Sequence, residues 1–389
     1  MLLIKNGKVY TMENGQVFDK GYLLVDEGKI QEAGDAWDER RNGEVHEVID
    51  AEGMYITPGF IDAHCHIGIF EDGIGFEGED GNEMTDPVTP HLRAIDAINP
   101  LDMCFAEAVE GGVTTAVTGP GSANVLGGEF VAIKTVGTRI DDMVIKNPVA
   151  IKCAFGENPK RVYNDKKQSP MTRMATAAIL REALLKAKRY MDRMEKAKDE
   201  DKQPEFDMKM ESLARVLKRE IPLKAHAHRA DDILTALRIA REFDIDITID
   251  HCTEGHKITG ILVEEGRGLV VGPSLSSRPK YELKDLTFKT PGILAAAGLD
   301  IAIMTDHPVI PIQYLPVCAA LAVREGMDEY KALEAITINA ARIAGIDDRV
   351  GSIKPGKDAD IAIFDGHPFN YTARTAYVII DGKVAFKRD

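Results

Sequence analysis

The stretch GFIDAHCHIG, residues 59–68, decides the fold. It is a short apolar run introduced by Pro58 and Gly59, and it carries His64 and His66 one residue apart. Side chains of a strand alternate between faces. Both imidazoles are therefore expected on one face, on the parity of Phe60 and Asp62, with Cys65 turned into the core. Six further strand-like runs follow: VTTAVTG (113–119), PVAIKCAFG (148–156), IPLKAHAH (221–228), IDITIDHC (245–252), GLVVGPS (268–274) and LDIAIMTDH (299–307). Helix-period segments such as ADDILTALRIAREFD (230–244) and PGILAAAG (291–298) separate several of them. Strands alternating with helices imply βαβ units and a parallel sheet. With about eight such units, an α/β fold built on a (β/α)8 TIM-like barrel over 58–345 is the economical architecture, ahead of an open doubly wound sheet.

On either side of that region the texture changes. LLIKNGKVYT (2–11), YLLVDEGKIQEAG (22–34) and EVHEVIDAEGMYIT (44–57) pair strand-like residues with turn punctuation, as hairpins do. DADIAIFDG (358–366) and TARTAYVIIDGKVAFKRD (372–389) repeat the pattern at the other end. A small β-sandwich domain assembled from both termini, 1–57 plus 346–389, is the expected second unit. Residues 171–220 depart from the barrel repeat. Leu180, Leu184, Ala187, Met191 and Met194 recur at helical spacing, and KAKDEDKQPEFD (196–207) is a charge run broken by Pro204. The expectation is a solvated helical insertion.

The balance of 48 Lys+Arg against 63 Asp+Glu in 389 residues leaves a net charge of −15. Nucleic acid and anionic membranes reward basic patches, so neither is expected as a partner. The partner expected is a small-molecule substrate, and assembly into a homo-oligomer stays open. Five cysteines (65, 104, 153, 252, 318) without a CxxC pair read as reduced thiols of a cytoplasmic protein. The opening MLLIKNGKVY is too poor in apolar residues for a signal-peptide core, and no apolar run is long enough to span a membrane.

Candidate ligands gather at the C-terminal ends of the strand-like runs, where barrel active sites lie. His64 and His66 are joined by His226 and His228 in IPLKAHAHR, His251 in ITIDHC, Asp306 in IAIMTDHP and Lys152 in PVAIKCAFG. Imidazoles with a carboxylate suit a divalent transition metal, zinc first. Glu157, just past the Lys152 strand, is a further carboxylate near that rim. His91, in the long loop after the first barrel strand, is a substrate candidate. His46 and His367 read as surface residues, and His256 and His307 as loop residues. The glycine-rich TGPGSANVLGGE (118–129) lacks the Gly-Lys-Ser/Thr ending of a phosphate loop. It reads as a tight turn on the rim whose N–H groups meet a substrate carboxylate. The acidic GIFEDGIGFEGEDGNEMTDP (68–87) could attract a cationic group.

PGFIDAHCH, the Asp of TDHP, EGGVTT at 110–115 and the closing GSIKPGKDADIAIF together resemble the metal-dependent amidohydrolase superfamily over essentially the whole chain. Within it the chain is similar to the imidazolonepropionase-related amidohydrolases, and IKCAFG is similar to isoaspartyl dipeptidase and phosphotriesterase. The resemblance implies that His64, His66 and Asp306 bind a buried metal. It implies that Lys152 is carbamylated and bridges to a second metal on His226 and His251, with His228 lining the substrate pocket. It also implies hydrolysis of an amide, peptide or cyclic amide by activated water, Asp306 acting as general base. An unmodified Lys152 paired with Asp306 would leave one metal. A mononuclear deaminase of a heterocycle is the alternative, although HAHR lacks the Glu that such members carry. A non-catalytic scaffold of the same fold is the third.

Overall fold

The computed structural model describes residues 1–197 and 204–389. Eight strands form the central sheet, in the same order along the chain and in space: Phe60–Cys65 (β1), Val113–Thr118 (β2), Leu126–Lys134 (β3), Val144–Ala154 (β4), Leu223–Ala227 (β5), Ile247–His251 (β6), Gly268–Val271 (β7) and Ile301–Ile303 (β8). Backbone bonds draw β8 back to β1. The Asp306 amide donates to the His64 carbonyl at 3.2 Å and the His66 amide to the His307 carbonyl at 2.8 Å. The Asp62 carboxylate accepts the Thr305 amide at 3.1 Å and also its hydroxyl. The result is a nearly closed barrel, as expected, but its sheet is mixed. β3 runs antiparallel to both β2 and β4, while the other neighbours are parallel.

That strand corrects the reading of 118–129 as a rim turn, since Leu126–Glu129 already belongs to β3. It alternates as a buried strand should. Phe130 and Ala132 face the barrel interior with Ala150, Ala302 and Met304, while Val131 and Ile133 face the outer shell. Gly127 is where β3 crosses the Lys152 side chain, and a Cβ there would stand 3.2 Å from Lys152 Cβ. The interior is filled at its lower end by the helix Ile338–Ala344, whose Ala340, Ala341 and Ala344 share one apolar cluster with Ile61, Ala63 and Ala302.

The stretch expected to be a solvated insertion is the helical connection between β4 and β5. Its helices are Arg173–Lys196, capped by the Thr172 side chain, and Met208–Leu217, capped by Asp207. Leu180, Leu184 and Ala187 are buried in the main core, whereas Met191 and Met194 are only half-buried. The charged face is solvated, but the apolar stripe covers the barrel, as an amphipathic helix must. Residues 198–203 of the charge run lie outside the described residues.

A second eight-stranded sheet joins the two termini. Tyr55–Pro58 pairs antiparallel with Ile361–Phe364, and Ile4, Leu23, Ile56, Ile361 and Ile379 form its core. Lys134, at the end of β3, ties this sheet to the barrel. Its buried ammonium lies 3.0 Å from Asp358, 2.5 Å from Asp360 and 3.1 Å from Asp381. The two aspartates of KDADIAIF are thereby explained as structural. No helix among the described residues is long and apolar enough to cross a membrane.

Candidate metal centre

The barrel brings the strand ends of β1, β4, β5, β6 and β8 around one cavity of about 320 Å³. It is lined by His66, Lys152, His226, His228, His251 and Asp306, among others. His64 lies directly beneath. Its Nε2 is 3.4 Å from Asp306 Oδ1 and 3.1 Å from Lys152 Nζ, and His66 Nε2 is 3.3 Å from the same Asp306 oxygen. Two groups place their ligand atoms within 4.8 Å of one another, His64–His251–Asp306 and His226–His228–His251. His226 and His228 therefore both face the cluster, where the sequence reading favoured His226 and set His228 in the pocket wall.

The local backbone explains how these side chains reach inward. On β1 simple alternation fails, because Ile61 and Ala63 face the interior and yet so does His64. A register shift between Asp62 and Cys65 inserts the extra step. Asp62 is thereby excluded from the cluster and spent on closing the barrel, and Phe60 stacks on Phe364 in the outer core, against the expected shared parity. Cys65 is buried in the outer core as read. On β6 strict alternation would turn His251 outward with Ile247 and Ile249. A left-handed backbone at His251 (φ 71°) and Cys252 (φ 49°) swings it in instead. Asp306 is likewise left-handed, at φ 55°. Non-glycine residues are strained there, and such strain gathers at functional sites.

Four of the five imidazoles are pinned from behind. His64 Nδ1 lies 2.7 Å from Asp250 Oδ2, His66 Nδ1 is 2.7 Å from the Gly119 carbonyl, His251 Nδ1 is 2.9 Å from the Gly272 carbonyl, and His228 Nδ1 is 2.8 Å from the Thr253 hydroxyl. Burial pushes His64 down to about 4 and His228 and His251 well below the ordinary histidine value. These rings are neutral at pH 7, the form that ligates a metal. Burial alone would raise Asp306, but His251, His64 and His66 hold it well below the usual carboxylate range. Burial lowers Lys152 to about 8.

Other candidates fall elsewhere. The Glu157 side chain does not line the cavity, and its amide donates to Glu282 Oε2 at 2.9 Å. His91 lines a neighbouring cavity of about 940 Å³, which shares Asn82 and Gly121 with the cluster cavity. His256 bonds Thr290 at 2.9 Å, and His307 is buried with both ring nitrogens unpartnered, outside the lining. His46 is exposed, whereas His367 is half-buried against Tyr10, Tyr55 and Phe369. The glycine-rich loop spends its N–H groups on the long loop after β1. Gly121 donates to Gly81 at 2.7 Å, Ala123 to Asn82 at 3.0 Å and Leu126 to Pro87 at 3.0 Å.

Three buried residues escaped the sequence reading. Asp250 holds His64 and takes an ion pair from Lys224 at 3.2 Å, and its parity with Thr248 was the available signal. Phe130 lies under His64, with ring centroids 5.2 Å apart. Glu282, from the short helix Tyr281–Leu283, brings Oε1 to 3.8 Å from His226 and 3.7 Å from His228. Nothing local in its sequence signals that approach.

A family model described as the amidohydrolase family matches residues 55–385. Over 391 residues the chain is 30% identical to amidohydrolase tasK of Hapsidospora irregularis, covering 94% of this chain but only 40% of that longer protein. It is 25% identical to an imidazolonepropionase of Streptococcus pyogenes, over 92% of this chain and 87% of that one. The crystal structure of an amidohydrolase from Thermotoga maritima MSB8 superposes with a TM-score of 0.95 at 46% identity, over the whole of both chains.

Proposed function

The chain belongs to the amidohydrolase family, and from that premise we propose that it hydrolyses an amide, peptide or cyclic-amide C–N bond with one or two divalent ions, zinc first. The observation that carries this reading is the pair of overlapping ligand groups sharing His251. The donor set fits a borderline cation: imidazoles held neutral by burial around one ionised carboxylate. His226 Nδ1, buried without a hydrogen-bond partner, is a further donor awaiting an acceptor of its lone pair. His64, His66 and Asp306 would hold the inner ion, and His226 and His251 a second, with His228 beside them. Lys152, brought towards its free amine by burial, is the group to take up carbon dioxide. Its carbamate would offset the doubled positive charge.

When bound, a divalent ion supplies a water acidified towards neutral pH and a polarised scissile carbonyl. The side chains do the rest. Asp306 takes the proton of the attacking water and returns it to the leaving nitrogen. Asp250, the Gly119 carbonyl and the Gly272 carbonyl keep His64, His66 and His251 from rotating. Asp306→Asn is the test, with metal content measured beside turnover. Retained metal with kcat lowered on the order of 100-fold or more is expected. Full activity would remove the proposed base.

A second reading, hydrolytic deamination at a single metal, is favoured by Glu282. That carboxylate stands beside His226 and His228 and supplies what HAHR lacks. About two equivalents of metal supports the binuclear reading, whereas one equivalent with ammonia released supports deamination. A protein that holds no metal at all would be the scaffold.

A further inference from the structure

We infer that Lys280 binds a substrate carboxylate, so that the substrate is an N-acyl amino acid or a similar amide carrying a carboxylate beside its nitrogen. This deepens the hydrolytic reading above and rests on it.

Lys280 lies in the connection between β7 and the helix Lys289–Ala296 and lines the cluster cavity. Apart from Lys152, it is the one cationic side chain in that lining among the described residues. Its nearest carboxylate oxygen, Glu282 Oε1, is 3.7 Å from Nζ, inside ion-pair range but beyond a hydrogen bond. Among the described residues Nζ makes no hydrogen bond, yet the side chain is only 20% exposed. A mostly buried ammonium with three unfilled donors costs free energy unless an acceptor arrives. Glu282 cannot swing to fill them. Its Oε2 is held by the Glu157 amide, and its fully buried Oε1 faces His226 and His228 without a hydrogen bond of its own. The pair thus keeps the ammonium over the cavity without satisfying it.

Two more observations narrow the ligand. The glycine-rich loop, the other candidate anion binder, has its amides at Gly121, Ala123 and Leu126 already bonded to protein oxygens. Asn158 donates to the Ser122 hydroxyl at 2.6 Å and leaves Oδ1 buried without a partner in the same cavity. A cation and an orphan acceptor lining the cavity that holds the ligand cluster suit a substrate that carries both a carboxylate and an amide N–H. The scissile carbonyl of such a molecule then faces the histidines and Asp306.

The experiment compares N-acetyl-L-amino acids with their matched C-terminal carboxamides on the metal-loaded wild type, Lys280→Met and Lys280→Arg. Metal content and melting serve as controls of folding. Loss of a charge-assisted hydrogen bond should raise KM for the acids by about 10- to 100-fold in Lys280→Met. For the same variant kcat, and KM for the carboxamides, should change less than about 3-fold, and Lys280→Arg should recover part of the loss. Calorimetric titration of the same acids and carboxamides reads the contact without turnover and should show the same selective weakening. Equal affinity of wild type for acids and carboxamides, or an equal effect of Lys280→Met on both, overturns the role of Lys280 alone. Selective binding of the acids that Lys280→Met abolishes, without cleavage of any compound, supports Lys280 and overturns the amide-hydrolysis reading instead.

Discussion

Asp250→Asn is the perturbation that probes the frame under the cluster. The exchange keeps the size of the side chain and an oxygen able to accept from His64 Nδ1, but it removes the charge. Lys224, 3.2 Å from Asp250 and 5% exposed, is then a buried ammonium without its counter-ion. At an effective dielectric of about 20, a pair at that spacing is worth roughly 5 kcal/mol, close to the 3–5 kcal/mol expected on breaking a buried ion pair. We therefore expect metal-free Asp250→Asn to lose about 3–5 kcal/mol of unfolding free energy at pH 7 in urea titrations. Lys224→Met in the same background should recover most of the loss, and metal affinity should fall by about 10-fold through the loosened His64. A loss under about 1 kcal/mol would refute the argument that Asp250 is there to hold a buried cation beneath His64.

Phe130→Ala should cost about 3–5 kcal/mol by opening a cavity in the barrel interior. It should also weaken metal binding, since the rings of His64 and His66 lie 5.2 and 6.4 Å from its own; urea unfolding and a metal-competition titration read the two effects. Lys134→Met strands Asp360, because Lys29 and Arg349 still pair with Asp358. A loss of about 3–5 kcal/mol at pH 7 is expected. The stranded carboxyl is raised above its unfolded value, so the deficit should shrink as pH falls towards 4 and grow as it rises. Thermal melts across that range check it, and a pH-independent deficit would count against the pairing.

The residues that form the cluster were readable in the sequence because their signals are local. An HxH in GFIDAHCH, a second in LKAHAH and single residues in TIDHC and MTDHP each sit where an apolar strand run ends, and the strand ends of a barrel converge on one rim. What failed was the alternation expected along the first barrel strand, and the same rule applied to His251 would have failed as well. Ile61, Ala63 and His64 all face inward because pairing with β2 shifts register, and His251 faces inward because its backbone turns left-handed. Both distortions are set by neighbouring strands and by barrel closure, so no window of sequence contains them. β3 was lost for a related reason, its start hidden among glycines, of which Gly127 lets it pass Lys152.

By itself, then, the order of residues determined where the imidazoles, the lysine and the carboxylate fall relative to strand ends, and which segments bury an apolar face. Only the tertiary structure decided who stands behind and beside them. Asp250 reaches His64 across 186 residues, and Glu282 and Lys280 come to the cluster from the loop after β7. The physical reason is that a ligand's identity is a property of one residue and its local backbone, whereas charge compensation and hydrogen-bond partnership are properties of distance in space. That distance is created when the first and last strands meet.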